Sequence, residues 1–491
     1  MSPKHRLWID RIGLLFILTI LAITFLRTNQ YWARMLRHPY SVDYGEGPLL
    51  HQARVLLSGN TIYPVGWTDY PYTVSNYPPL YITALAMSST MFKSELMAGR
   101  VVTLSAAIAS VVFIGLIIHS LTQDLGASVI AALIFAASPI FVRWATLIRV
   151  DMLALALSLL AILIAVRFWS TTWSPWLVTL LVTAAFLTRQ TTLLAATVAV
   201  FVWFLSHDGK KARAFLLIGG ISVLGVFTGL NLVTRGGFFL HTIVANMNDY
   251  SLGRVLPMFT IFALTMPILI AIALSEIGGA VIAKRPVMML PASYAVAAIG
   301  VGLAAGKIGA GYNYFLELSV VLALFCGTVL ARWRASGQKT LPALYLLLAV
   351  QSVILVSTNY TLFYSTGLDD SARIQLDKLA GLIEAETEPV LADEHLAEVV
   401  LRQGQIVLQP FEMTQLSRQG VWDQTPLVED IRTGKFGLIL VSHPPSSHSS
   451  NAAQSTHWTQ EMWTAIVEAY EPEGIWADAT IYRPMAIDAQ Q

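Results

Sequence analysis

The chain has 491 residues, 55% of them hydrophobic and only 12% charged, with a formal net charge of +1. Soluble domains carry about 25% charged residues, so this composition, with a mean hydropathy of +0.61, excludes an ordinary soluble enzyme and places most of the chain in a bilayer. The near-zero charge without a basic cluster argues against nucleic acid as a partner, and the single Cys326 excludes an intrachain disulfide and a thiolate metal cage.

Lys4, Arg6 and Arg11 precede the apolar run Ile12 to Leu26. No small-residue cleavage site follows, so the run reads as a retained first span rather than a signal peptide. Apolar runs then recur at 99–119, 126–142, 152–168, 176–188, 190–206 and 215–234, and again at 257–275, 287–305, 313–331 and 341–357. With 12–27 these make about 11 spans by a window of ~19 residues. Arg189 interrupts one long apolar stretch, which fits a helix broken inside a cavity rather than in lipid. With the N-terminus inside, the inner loops collect Lys210, Lys211, Arg213, Lys284, Arg285, Arg332 and Arg334. The positive-inside rule therefore predicts a cytoplasmic N-terminus, and an odd number of spans puts the C-terminus outside.

Between the first two spans lies a long outer segment, 28–98. It holds a polar, aromatic stretch and then a short apolar run opened by Pro78-Pro79, which predicts a juxtamembrane helix over 78–92. A second helix is expected over 48–58. From about 358 the charged residues return to soluble-domain frequency. Strands are predicted at 389–392, 405–408 and 437–441, and helices at 372–386, 394–403, 411–419, 426–433 and 458–468. The reading is therefore a polytopic α-helical membrane protein (1–357) with an extracytoplasmic C-terminal α/β domain (358–491). The stretch 442–456 reads as a loose loop.

This topology gathers the unexpected polar residues on the outer side. The first outer loop supplies Asp43, Glu46 and Tyr77, and the next supplies Arg149 and Asp151. The break supplies Arg189, and later loops supply Asn248, Lys307, Tyr312, Asn313 and Glu317. Charges at membrane depth face a wet cavity or a partner, and acids mixed with cations suit a phosphate-bearing ligand whose sugar must be activated. Asp43 and Glu46 sit among Gly45, Gly47 and Pro48, a turn that can present both acids to a cleft; the plainer reading is a solvated turn at a helix start. Arg149 and Asp151 also have a plain reading, an interfacial arginine and a helix cap. Lys307 lies in a glycine-rich loop, a weak anion-binding signal. The histidines show no metal-ligand spacing on one helix.

In order along the chain, the residues resemble the GT-C glycosyltransferases, in particular bacterial relatives of protein O-mannosyltransferases and of lipid A aminoarabinose transferases. The resemblance rests on Asp43 with Glu46, Asn76-Tyr77-Pro78-Pro79-Leu80-Tyr81, Ala98-Gly99-Arg100 and Arg149-Val150-Asp151. It continues through Leu187-Thr188-Arg189-Gln190-Thr191 and Gly311-Tyr312-Asn313-Tyr314 to Glu317. It implies a multi-pass plasma (inner) membrane enzyme that moves a hexosyl-type sugar from a polyprenyl-phosphate donor, with inversion, to a glycan, lipid or protein acceptor. Asp43 would be the base, with Asp151 and Glu46 as further site acids and Arg149, Arg189 and Lys307 against the donor phosphate. Tyr77, Asn248, Tyr312, Asn313 and Glu317 would form the sugar or acceptor pocket. Relatives often carry lysine just before the prolines, where this chain has Tyr77, which shifts the phosphate contact to the arginines. Some relatives hold a divalent cation on these acids and others do not; the arginines favour the metal-free case. Two other readings fit the composition. A transporter or flippase would show a repeat between the two halves, and a non-catalytic membrane subunit would have no need of Asp43 or Asp151.

Overall fold

The structure is a computed structural model that describes residues 3–283, 286–338, 340–364, 370–445 and 456–485. The first helix, α1, is Pro3–Arg37, followed by the shorter helices α2 (Glu46–Leu57) and α3 (Pro79–Ser89). The bundle continues with α4 (Glu95–Thr122), α5 (Leu125–Ala136), α6 (Pro139–Trp144), α7 (Asp151–Arg167), α8 (Ser174–Phe186), α9 (Thr192–His207) and α10 (Gly209–Val233). It closes with α11 (Gly237–Thr242), α12 (Leu252–Thr265), α13 (Pro267–Ala283), α14 (Pro286–Leu303), α15 (Leu316–Ser336) and α16 (Leu341–Asn359). Every predicted apolar run falls on helix. Among the described residues, 6 helices are long and apolar enough to cross a membrane, or 7 if one bent pair counts as a span. The remaining predicted spans fall on α5, α7, α8 and α9, all shorter than the ~20 residues a typical span needs.

Apolar character on all sides of a helix is stable only where every side is covered by protein or lipid. Both cases occur. Helix α15 is almost wholly buried at the centre, whereas α10 turns Leu217, Ile221, Leu224 and Leu232 outward. At the C-terminal end of α15, Arg334 joins α1 to the α4–α5 turn. Its Nε donates to Asp10 at 2.9 Å, and its Nη1 pairs with Asp124.

Two predicted spans are broken. The run 257–275 bends by 97° between α12 and α13. Pro267 has no N–H to continue the ladder, and the Gln351 side chain bridges the gap. Its Nε2 donates to the Thr265 carbonyl at 2.9 Å, and its Oε1 accepts from Ile268 N–H at 3.1 Å. The run 126–142 stops at Ala137, before Pro139, and Asn359 Nδ2 donates to the freed Ala137 carbonyl at 2.7 Å. The break at Arg189 matches its prediction: the Leu187 carbonyl accepts from Leu80 N–H of α3 at 2.9 Å.

The C-terminal part contains α17 (Asp370–Ala385), β1 (Val390–Ala392), α18 (Leu396–Gln403), α19 (Pro410–Arg418) and α20 (Thr425–Arg432). β2 (Leu438–Val441), α21 (Gln460–Ala469), β3 (Tyr470–Trp476) and β4 (Ala479–Pro484) complete it. The sheet order is β1-β2-β4-β3, with β1 and β2 parallel and β4 antiparallel to both its neighbours. The hairpin β3–β4 escaped the sequence reading. The predicted strand 405–408 does not enter the sheet. Its backbone pairs with the segment between α2 and α3 instead: Tyr72 N–H donates to the Val407 carbonyl at 2.8 Å and Gln409 N–H to the Tyr72 carbonyl at 2.9 Å. Much of the predicted loop 442–456 lies outside the described residues.

The C-terminal part is docked on α2 and the turn before it. A Cβ on Gly47 of α2 would collide with the backbone of Leu396 and Ala397, so glycine is what permits this approach. The buried Glu398 carboxylate accepts from Ser41 N–H and Ser41 Oγ, each at 2.8 Å.

Candidate active site

A cavity of about 760 Å³ lies where the loops after α1, α6, α8 and α14 meet the C-terminal part. Its wall includes Asp43, Tyr77, Arg149, Arg189, Asn248, Lys307, Tyr312 and Asn313, so eight of the residues singled out in the sequence meet there.

Asp43 stands in the turn between α1 and α2. Gly45 N–H donates to Asp43 Oδ1 at 3.0 Å, the short-range bond that makes aspartate a turn residue. Arg149 Nε donates to the same oxygen at 2.6 Å and Nη2 pairs with it. The guanidinium lies against Gly45 so closely that a Cβ there would overlap it. All these contacts fall on Oδ1. The side chain, 17% exposed, borders the cavity.

Arg189 occupies the gap between α8 and α9. Its Nη1 meets Asp151 Oδ1 at 2.6 Å, with side chains only 7% and 1% exposed, and its guanidinium lies 4.8 Å over the Tyr314 ring. Asp151 begins α7, where the helix N-terminus favours negative charge, and also accepts from Asn313 Nδ2 at 2.8 Å. Asp151 does not reach the main cavity. With Glu317 it lines an adjoining pocket of about 10 Å³, room for a single water. Among the described residues, neither Glu317 oxygen, nor Asp151 Oδ2, has a hydrogen-bond partner.

Lys307 approaches from the loop after α14, its Nζ donating to Asn246 Oδ1 at 3.2 Å. Burial and the nearby Arg189 hold its pKa below the ordinary lysine value, with Glu412 pulling the other way. Asn246 Nδ2 and Gln190 Nε2 both donate to the Asn76 carbonyl, at 2.9 and 3.0 Å. That fixes the residue before Tyr77. Burial raises the Tyr77 hydroxyl to about 12, and Arg149, Asp151 and Arg189 all act on it electrostatically. One phenol is thus close to three of the charged groups.

Glu46 is a correction. It does not face the cavity; it lies fully buried behind Asp43. Its Oε2 accepts from Val42 N–H at 2.9 Å and lies 3.4 Å from Arg100 Nη2, while Oε1 accepts from Ile148 N–H at 3.1 Å. It ties the Asp43 turn to the loop that carries Arg149, a positioning role. Burial raises its pKa, and Arg100 and these backbone donors oppose the shift.

The sequence reading missed the cavity's far wall, which comes from the C-terminal part: Glu394, Gln409, Phe411, Glu412 and His457. Glu412 accepts from Tyr44 Oη at 2.9 Å and from Asn76 Nδ2 at 3.0 Å. A glutamate on a short amphipathic helix carries no mark in sequence to separate it from a surface residue.

As for a divalent cation on the membrane-side acids, Asp43 and Asp151 each already face a guanidinium, and Glu46 faces Arg100. This donor set does not fit a shared cation, because binding one would leave arginines uncompensated.

Residues 76–231 match the family model described as Dolichyl-phosphate-mannose-protein mannosyltransferase. Among curated proteins no sequence matches this chain. Among solved structures, ArnT from Cupriavidus metallidurans bound to undecaprenyl phosphate superposes with a TM-score of 0.60 at 12% identity, over 96% of this chain and 98% of that one. The fold is that of the GT-C glycosyltransferases. The Archaeoglobus fulgidus oligosaccharyltransferase in its apo form shares it, with a TM-score of 0.57 at 11% identity over 87% of this chain and 69% of that one. The oligosaccharyltransferase AglB from the same organism, in complex with an inhibitory peptide and a dolichol-phosphate, gives 0.51 at 13% over 76% and 58%. At such identities the GT-C likeness is one of fold. The family match spans Tyr77, Arg149, Asp151 and Arg189, whereas Asp43 and Lys307 lie outside it.

Proposed function

We propose that this protein transfers a hexosyl-type sugar from a polyprenyl-phosphate carrier to an acceptor hydroxyl on the outer face of the plasma membrane, with inversion. The observation that carries the reading is the meeting of Asp43 with Arg149, Arg189 and Lys307 on one cavity, in a GT-C fold. Cavities of roughly 300–1,000 Å³ suit small-molecule sites, and this one has room for a sugar phosphate. The ArnT structure bound to undecaprenyl phosphate and the AglB structure with a dolichol-phosphate support a polyprenyl-phosphate donor.

In this reading residues 1–357 form the catalytic membrane domain, with the N-terminus cytoplasmic, and 358–491 form an extracytoplasmic cap. The donor phosphate lies against Arg149, Arg189 and Lys307. Asp43 Oδ2 takes the proton of the acceptor hydroxyl as its oxygen attacks the anomeric carbon from the side opposite the phosphate. The new carbon–oxygen bond forms, the bond to the phosphate oxygen breaks, and polyprenyl phosphate departs with the electron pair, its charge met by the three cations. Asp151 holds Arg189, while Tyr77, Asn248, Tyr312 and Asn313 border the sugar. A glycan, a lipid or a protein can supply the hydroxyl.

The test incubates the purified protein with a panel of polyprenyl-phosphate sugars and follows release of polyprenyl phosphate. The expected result is release from at least one donor, lost in Asp43→Asn while folding is retained. Undiminished turnover in the folded variant refutes Asp43 as the base, and no release from any donor with any acceptor class refutes the transferase.

A further inference from the structure

Among the described residues, one group of metal-ligating side chains converges: Glu394, His443 and His457, whose ligand atoms lie within 4.8 Å of one another. Glu394 Oε1 lies 3.8 Å from His443 Nδ1 and 4.0 Å from His457 Nε2, and the two imidazoles stack at 4.8 Å. Helical spacing gives no hint of this set, because the sheet assembles it. Glu394 follows the carboxyl end of β1 and His443 that of β2, its parallel neighbour. The crevice outside the carboxyl ends of parallel strands is where α/β sheets bind ligands.

A single buried carboxylate secures all three ligand-bearing segments. Asp393, the residue before Glu394, accepts from Ser442 N–H at 2.7 Å and His443 N–H at 2.9 Å. It also accepts from the indole N–H of Trp458, the residue after His457, at 2.9 Å. On the far side of the His457 ring, Nδ1 lies 3.0 Å from Thr456 Oγ1, the kind of outer contact that orients a metal-ligating histidine.

We infer that Glu394, His443 and His457 form a binding site for a zinc-class divalent cation, with an open coordination position toward the cavity. Two imidazoles and one carboxylate are a zinc ligand set, and three protein ligands leave a position for water or another oxygen ligand. Zinc–ligand bonds of about 2.0–2.2 Å place tetrahedral ligands roughly 3.3 Å apart, so each Glu394–histidine separation closes by less than about 1 Å, and the separation between the two histidine nitrogens, at most 4.8 Å, by up to about 1.5 Å. His443, with its side chain half exposed, has room to make that movement. Glu394 and His457 also border the large cavity, which places the open position on its wall. These three side chains share the cavity with Asp43 and the arginines but are not among the groups assigned to transfer, and the test of metal binding does not depend on turnover.

The experiment uses the full-length protein in detergent, stripped with a chelator and desalted, then titrated with Zn²⁺ in competition with a chromogenic chelator. One equivalent binds tightly to the wild type. His443→Gln and Glu394→Gln each weaken that binding by roughly 100-fold or more, while His207→Gln, on a remote helix end, leaves it unchanged. Co²⁺ in place of Zn²⁺ gives the intense visible absorption of low-coordinate cobalt, lost in His443→Gln. Absence of stoichiometric binding, or binding of equal strength in His443→Gln and Glu394→Gln, overturns the assignment.

Discussion

Replacing Arg189 by methionine keeps much of the side-chain volume and removes the charge. Its partner Asp151 is 1% exposed, and among the described residues Glu317 beside it has no hydrogen-bond partner, so the variant leaves Asp151 without its cation. Removing one partner of a buried pair costs about 3–5 kcal/mol. Asp151 keeps its bond from Asn313, which points to the lower end, about 3 kcal/mol. In a chain of this size such a loss lowers the unfolding midpoint by roughly 3 °C. The second variant, Arg189→Met with Asp151→Leu, removes both ends of the pair and recovers more than half of the loss, because replacing a whole buried pair by apolar groups is nearly neutral. The assay is thermal unfolding in detergent, read by tryptophan fluorescence. A wild-type midpoint for Arg189→Met, or a double variant less stable than the single one, refutes the pairing.

Three further outcomes follow from other parts of the site. Gly45→Ala puts a methyl where the Arg149 guanidinium lies; donor turnover falls by roughly tenfold or more, since misplacing catalytic groups by about 1 Å has that order of effect, and normal turnover contradicts the close approach. Because burial and Arg189 lower the Lys307 pKa, the ammonium is charged below that value and neutral above it. Donor affinity should therefore weaken as pH rises, at lower pH than an ordinary lysine would allow; Lys307→Met abolishes this limb, and a limb unchanged in that variant excludes Lys307 as its source. Gly47→Val pushes against the backbone of Leu396 and Ala397, so limited proteolysis of the C-terminal part accelerates, whereas wild-type resistance argues that α2 does not hold it.

What could be read from the sequence was whatever hydropathy or isolated charge records. Arg189 interrupts an apolar run, and the chain breaks there; Pro78-Pro79 opens a short apolar segment, and α3 begins there. The 97° bend at Met266 passed unseen because hydropathy stays high through Pro267, and the glutamine that spans the gap comes from α16. The hairpin β3–β4 was hidden by Pro472 and Gly474, residues that weaken a strand pattern, yet the register shifts between them and the pairing continues. Its turn uses Ala477 and Asp478 at positive φ, without the usual glycine or asparagine. Glu46 shows the limit for the site. An acid near Asp43 reads alike whether it faces a cavity or a buried arginine, and only Arg100, brought in by α4, decides. His443 and His457 likewise need the β1–β2 pairing before they meet Glu394.

The account rests on the cavity as the seat of a lipid-linked phosphate. The measurement that tests this most directly is a cryo-EM structure of the protein in lipid nanodiscs with polyprenyl phosphate. The phosphate is expected within salt-bridge reach of Arg149, Arg189 or Lys307, with Asp43 Oδ2 facing the space a sugar would fill. A phosphate bound elsewhere on the bundle, or a cavity closed to the lipid, contradicts the account.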